Sequence, residues 1–290
     1  MEKVKFSPAA FGGEVHIPPS KSFAHRALIC SALSGGTVKV NNISTSRDME
    51  ATGNFIRALS MNVIPDGKGN VSIEGELKIP GDPITVDCIE SGSTLRFIIP
   101  IMAALGVSCT FVGRGLLPTR PIGAYSELLP SHGVSFEGNG LPCKISGKLT
   151  SGDFSLPGNI SSQFISGLMF ALPLLEGDSR IIITTELESE SYIDITISVL
   201  QKYGINIERT DYGYFVKGNQ KYKAVDHTVE GDWSQAAFYM NLGAFSKDPI
   251  RVRGLDKNSV QGDRKCLKFM VSWVSKLNLR AMFFLSAIRR

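Results

Sequence analysis

An internal period of about 70 residues constrains the fold of this chain more than any other feature. Four turns rich in small residues, each leading through a hydroxyl residue into an apolar helix, read PPSKS, IESGST, PGNISSQ and VEGDWS. With Ser22, Ser93, Ser162 and Ser234 as markers, the spacings are 71, 69 and 72 residues. A second series runs between them, where an amphipathic helix gives way to an extended apolar run. It falls at Asn62 and Val63, Gly133 and Val134, and Gly204 and Ile205, 71 residues apart each time. Two independent markers with one period predict an α/β chain built from a repeated βαβ-type unit of two helices and several short strands. The period puts the next helix exit near residue 275, with Gly or Asn ahead of an apolar residue. The chain has Val274-Ser275-Lys276 there. From about Phe269 the segment MVSWVSKLNLRAMFFLSAIRR has neither the turn nor the strand of the earlier units, so the register is expected to break.

The chain has 290 residues, 43% of them hydrophobic, enough to bury a core and form two domains. No stretch is long and apolar enough for a membrane span. Met1 is followed by Glu2, Lys3 and Lys5 rather than by an apolar run, so no secretory signal is expected and the cytoplasm is. The five cysteines, Cys30, Cys88, Cys109, Cys143 and Cys266, lack C-x-x-C spacing and read as reduced, mostly buried thiols rather than a metal site. Net charge is +4, but Lys276, Arg280, Arg289 and Arg290 account for it; the rest of the chain balances 27 bases against 27 acids. A neutral body argues against nucleic acid as a partner.

Each repeat sets a helix N-terminus behind a Gly/Ser-rich turn, where unpaired N–H groups and the helix dipole favour anions. Capping alone explains a hydroxyl there. It does not explain cations. In the first turn Lys21 stands at the helix mouth, and Ser22 and Arg26 share a face one turn up. Two converging cations repel each other unless an anion lies between them, and Lys with Arg suits phosphate or carboxylate. In the second turn Gly92 allows close approach to the backbone, with Arg96 four residues on. The loop Gly113-Arg114-Gly115 leads to Arg120, with Pro121 expected at the first helical position. In the third turn Ser161, Ser162 and Gln163 offer two hydroxyls and an amide. A Walker-type loop is absent, so a nucleotide is not implied.

The stretches PPSKSFAHRAL, ESGSTLRF, LLPTRPIGAYSELL, GNISSQFISGLMFALPLL, SESYIDITISVL, VEGDWSQAAFYM and NSVQGDRK occur in this order. The chain thereby resembles the EPSP synthase (3-phosphoshikimate 1-carboxyvinyltransferase) family from about residue 4 to about residue 268. The resemblance implies an inside-out α/β barrel of the enolpyruvyl transferase type, built of βαβαββ units, with roughly four of six present. It implies a complete domain over 20–228 and an incomplete one from 1–19 and 229–290, atypical from about 269. The implied reaction moves the enolpyruvyl group of phosphoenolpyruvate onto the 5-hydroxyl of shikimate 3-phosphate and releases phosphate, without metal or organic cofactor. By motif position Lys21 has the catalytic place and contacts both substrates, while Ser22 and Arg26 bind shikimate 3-phosphate. Gly92 and Arg120 bind phosphoenolpyruvate, and Gln163 lies near both. Ser161, Ser162 and Ser189 hold the 3-phosphate, with Tyr192 close by.

Two departures qualify the resemblance. Glu90 stands where many members have Asn, and either disturbs anion binding or points away. The acidic residues used in proton transfer and the late His-Arg pair and Lys have no counterpart here. The expected alternatives are therefore a catalytically silent fragment, of the kind a frameshift or premature stop produces, which at most binds shikimate 3-phosphate, or the sister enzyme acting on UDP-N-acetylglucosamine. The sister enzyme would want Lys-Asn in the first turn and a loop cysteine, and neither is present. A monomer is implied for the family, with poor solubility or self-association expected if the second domain is half built.

Overall fold

The structure, a computed structural model, describes residues 12–246, 248–276 and 283–286. The chain runs through β1 (Gly13–His16), α1 (Lys21–Ser34), β2 (Val38–Asn41), α2 (Arg47–Ala58), β3 (Asn62–Pro65) and β4 (Val71–Glu74). A second pass gives β5 (Ile84–Asp87), α3 (Gly92–Ala104), β6 (Cys109–Val112), α4 (Gly123–Leu128), β7 (Val134–Glu137) and β8 (Cys143–Gly147). A third gives β9 (Asp153–Leu156), α5 (Ser162–Ala171), β10 (Ser179–Ile183), α6 (Glu190–Lys202), β11 (Ile207–Thr210) and β12 (Gly213–Val216). The fourth holds β13 (His227–Thr228), α7 (Trp233–Phe245), β14 (Ile250–Arg253), α8 (Cys266–Lys276) and β15 (Phe283–Ser286). The repeating plan is βαβαββ.

Two compact units result, one from Lys21–Val229 and one from Met1–Ser20 with Glu230–Arg290. In the larger unit three four-stranded sheets share one topology. A parallel pair (β13 with β2, β5 with β6, β9 with β10) continues into two antiparallel strands. The first strands are exchanged between the units: β1 precedes α1 yet pairs with β14, and β13 precedes α7 yet pairs with β2. Helices α1, α3 and α5 are apolar on nearly every side and correspondingly buried, in 10 of 14, 12 of 13 and 9 of 10 positions. They form the centre of the unit, with the second helix of each repeat covering them.

A proline inside α3 shapes this centre. Pro100 has no N–H, so the carbonyl of Arg96 one turn earlier lacks its helical partner. The buried Tyr125 hydroxyl replaces it, donating to Arg96 O at 2.8 Å with Phe164 O also at 2.8 Å. Burial pushes the Tyr125 phenol well above its ordinary range, the nearby Arg96 charge opposing, so it remains a donor. Helix α5 passes this point with Gly167 facing Tyr125 and the Arg96 carbonyl.

In the smaller unit β1 and β14 pair in parallel over a core of Ile17, Trp233, Ala236, Met240, Ile250, Val252 and Leu255. Helix α7 buries only Trp233, Ala236, Met240 and Gly243, and leaves Phe238 76% and Phe245 67% exposed. The tail corrects one expectation. Helix α8 is described as far as Lys276, so the helix exit expected near residue 275 borders on residues outside those described, but β15 is present although no strand was expected. The aromatic and apolar Phe-Phe-Leu run has strand propensity, and the free edge of β14 gives it backbone partners. The register does depart from plan: β15 runs parallel to β14, where β4, β8 and β12 run antiparallel to their neighbours. The rest of the tail and the charges at Met1 to Lys5 lie outside the described residues.

Four cysteines are buried and Cys266 is half-buried, all with free thiols. Among the described residues no helix is long and apolar enough to cross a membrane.

Candidate functional site

A cleft of about 690 Å³ opens in the larger unit at the N-terminal ends of its helices. Lys21, Ser22, Gly92, Arg120, Gln163 and Tyr192 line it, together with Arg47, Asp48, Glu90, Ser91, Ser93, Gly115, Leu116 and Leu117. Residues from all three repeats meet here because each repeat starts its first helix at the same end.

Lys21 opens α1, and its Nζ donates to Asp48 Oδ2 at 3.0 Å. Asp48 lies in the first turn of α2, whose cap Ser46 accepts from Met49 N. Burial pushes the Asp48 carboxyl up, but hydrogen bonds from Lys21 and Ser91 outweigh it and hold the group below its usual range. Behind Ser91, hydroxyls run inward. Thr94 Oγ1 donates to Ser91 Oγ at 2.9 Å, Thr52 lies 2.9 Å from Thr94, and His25 Nδ1 lies 2.8 Å from Thr52.

Gly92 begins α3 after the cap Ser91. A Cβ there would lie 2.8 Å from Arg120 Nη1, so the guanidinium lies against the helix start in space that glycine leaves open. Arg120 corrects a second expectation. Pro121 does not begin a helix; α4 starts at Gly123, and Arg120 is extended at φ −75°, ψ 136°. A residue before proline is pushed out of the helical region, and here the Pro121 carbonyl accepts from Arg96 Nη2 at 3.0 Å instead.

Gln163, in the first turn of α5, is fixed at both ends. Its Oε1 accepts from Arg96 Nη1 and its Nε2 donates to Ser93 Oγ, each at 2.8 Å. Arg96 is nearly buried over the Phe164 ring, and burial, then the neighbouring Arg120 charge, lower its pKa. Two guanidiniums thus face the same region, and among the described residues neither pairs with a carboxylate.

Four expected residues lie away from the cleft lining. Arg26 is buried and bonds to Thr196 Oγ1 (2.8 Å), Ser22 O (2.8 Å) and Tyr192 O (3.0 Å) beneath the cleft floor. Burial pushes its pKa down to about 9, so it stays a cation at neutral pH. Ser161 caps α5, accepting from Gln163 N, and Ser162 is buried as the first helical residue. Ser189 stands exposed before α6 in the left-handed region, with no side-chain cap bond.

The sequence reading missed Asp48 and Arg47, used Ser93 only as a turn marker and Arg96 only as a nearby cation. Asp48 and Arg47 open the second helix of a repeat, where no glycine turn marks the site. The available signal was the run Ser46-Arg47-Asp48, a cap followed by a charge pair.

The family profile described as EPSP synthase (3-phosphoshikimate 1-carboxyvinyltransferase) matches residues 7–277. A 3-phosphoshikimate 1-carboxyvinyltransferase of Clostridium kluyveri is 48% identical over 267 residues, covering 91% of this chain and 62% of that protein. One of Clostridium perfringens is 45% identical over 281 residues, covering 96% and 66%. The chain thus spans a little under two thirds of the length of these relatives. Among solved structures, an EPSP synthase from Acinetobacter baumannii matches with a TM-score of 0.74 at 23% identity, over 85% of this chain and 56% of that one. The enolpyruvyl transferase NikO from Streptomyces tendae matches with 0.69 at 12% identity, over 92% and 62%. At such identities the likeness is one of fold, and the α/β fold class expected from the period agrees with it.

Proposed function

This chain belongs to the EPSP synthase family, and from that membership we propose that its larger unit binds shikimate 3-phosphate and phosphoenolpyruvate for enolpyruvyl transfer to the 5-hydroxyl. Residues 20–228 then act as the complete substrate-positioning domain, in the cytoplasm. Lys21 faces both anions, Arg120 over Gly92 takes the carboxylate or phosphate of phosphoenolpyruvate, and Gln163 spans the two. Ser22 and Tyr192 border the shikimate 3-phosphate side. Arg26 serves from beneath, holding Ser22 and Tyr192 by their carbonyls, and Ser161, Ser162 and Ser189 stand beside the 3-phosphate. The observation that carries this reading is the convergence of Lys21, Gly92, Arg120 and Gln163, from three repeats, on one cleft.

Calorimetric titration of shikimate 3-phosphate into the folded chain tests it. Saturable binding is expected, and Lys21→Met should weaken it about 30-fold or more, the effect of losing a charge-assisted contact. A folded chain without binding, or with unchanged affinity after Lys21→Met, overturns the assignment. Binding without turnover is favoured by one observation: both carboxylates in the cleft are paired, Asp48 with Lys21 and Glu90 with Arg47. Proton transfer by either carboxylate would have to loosen its ion pair. A phosphate-release assay separates the readings, since turnover by this chain alone would exclude a purely binding role.

The smaller unit is proposed to self-associate through α7, where Phe238 and Phe245 are exposed. Sedimentation velocity should show association that rises with concentration and falls with Phe238→Glu/Phe245→Glu. A monomer at all concentrations contradicts this.

A further inference from the structure

The proposed function leaves one charged residue of the second turn without a role, Glu90. Its backbone neighbour Ile89 is buried at φ 54°, a region that a β-branched residue seldom adopts. Two bonds hold it there: Ile89 N–H donates to Asp87 Oδ1, and Arg114 N–H donates to Ile89 O, each at 2.7 Å. The strained residue presents Glu90 to the cleft. On one side Arg47 Nη1 lies 3.6 Å from Glu90 Oε2. On the other, a Cβ on Gly115 would lie 2.5 Å from Glu90 Oε1, so the carboxylate occupies space that this glycine, at φ +62°, leaves open in the loop before Arg120. A strained residue, a counter-ion and a glycine gap all surround one negative charge, at the end of the cleft where Arg120 lies and separate from the Lys21–Asp48 pair.

We propose that Glu90 sets the specificity of the Arg120 end of the cleft for anions. Its fixed carboxylate repels an entering anion and also keeps Arg47 from adding to the binding charge. This rests on the reading that the Gly92 and Arg120 end receives phosphoenolpyruvate. Arg47 in turn restrains and half-neutralises Glu90, so removing either partner shifts affinity in opposite directions.

The test is titration of phosphoenolpyruvate, with inorganic phosphate as a second probe, into the full chain and its Glu90→Gln, Arg47→Met and double variants. Both side chains are largely solvent-facing, and matched urea midpoints confirm that all four chains fold alike. Glu90→Gln should bind about fivefold tighter and Arg47→Met about threefold weaker, changes of the size expected for one charge in a partly exposed cleft. The double variant should return close to the parent. Phosphoenolpyruvate binding by the parent with Glu90→Gln unchanged or weaker overturns this inference alone. Absence of binding in all four chains overturns the donor-site reading and this inference with it.

Discussion

Lowering the pH from 7.5 to 5 is expected to remove about 4 kcal/mol from the stability of the Lys21–Val229 unit, about 2 for each of two buried histidines. His25 is 1% exposed and His227 3% exposed. Burial is the main cause that pushes His25 down to about 3, aided by the Arg26 and Lys21 charges and opposed by Asp48. Burial, then Lys202, lowers His227 to about 4. The Nε2 atoms of both rings are buried without a hydrogen-bond partner, so neither ring has a place for a second proton. The sign follows from which state takes up protons. Unfolded histidines protonate near pH 6.5, whereas these stay neutral in the fold. Their contribution is therefore complete above pH 6.5 and drains away as pH falls toward about 4 for His227 and about 3 for His25. Urea unfolding followed by circular dichroism at the two pH values should show the midpoint falling by about 2 M, given a slope near 2 kcal/mol/M for a unit of this size. His227→Phe, which keeps the stacking on Tyr203, should halve the loss. A midpoint independent of pH would mean that the rings are protonated within the fold, and the burial argument would fail.

Gly167→Ala is expected to destabilise the same unit by about 3 kcal/mol, against the gain of about 1 kcal/mol that alanine brings to an unhindered helix. The added methyl would overlap Tyr125 Oη and the Arg96 carbonyl oxygen. Neither can withdraw. The carbonyl belongs to the α3 backbone, and the Tyr125 hydroxyl is held by the acceptor that Pro100 leaves free. Relief would require α3 and α5 to separate at the centre of the core, opening voids on both sides. A urea midpoint lower than the parent's supports this account. A raised midpoint would show that helix propensity prevails and that the two helices are not in close contact there.

Much of this architecture is legible from spacing. Ser22, Ser93, Ser162 and Ser234 each fall within one residue of the start of a helix, because small residues, a cap and an apolar run are local requirements. Gly133 and Gly204 adopt left-handed conformations between a helix and a strand for the same reason. The cleft is less legible. Lys21, Gly92 and Gln163 lie beside marked turns, and Arg120 follows the glycine loop at 113–115. Arg26 lies on the same helical face as Ser22 as expected, yet its length and burial take it beneath the cleft to the carbonyls of Ser22 and Tyr192. Asp48 escaped notice because its partner Lys21 is 27 residues away, and no local pattern encodes that meeting.

By itself the sequence determined the period, the helix starts and the cations beside the first two turns, since these depend on neighbours a few residues apart. Tertiary structure alone decided which cations are paired and which are left to face the cleft. Asp48 meets Lys21, Glu90 meets Arg47 and Gln163 meets Arg96 only once three repeats pack side by side. The physical reason is range: capping and periodicity act within a few residues of backbone, whereas charge pairing and close helix contact depend on distances that packing alone sets.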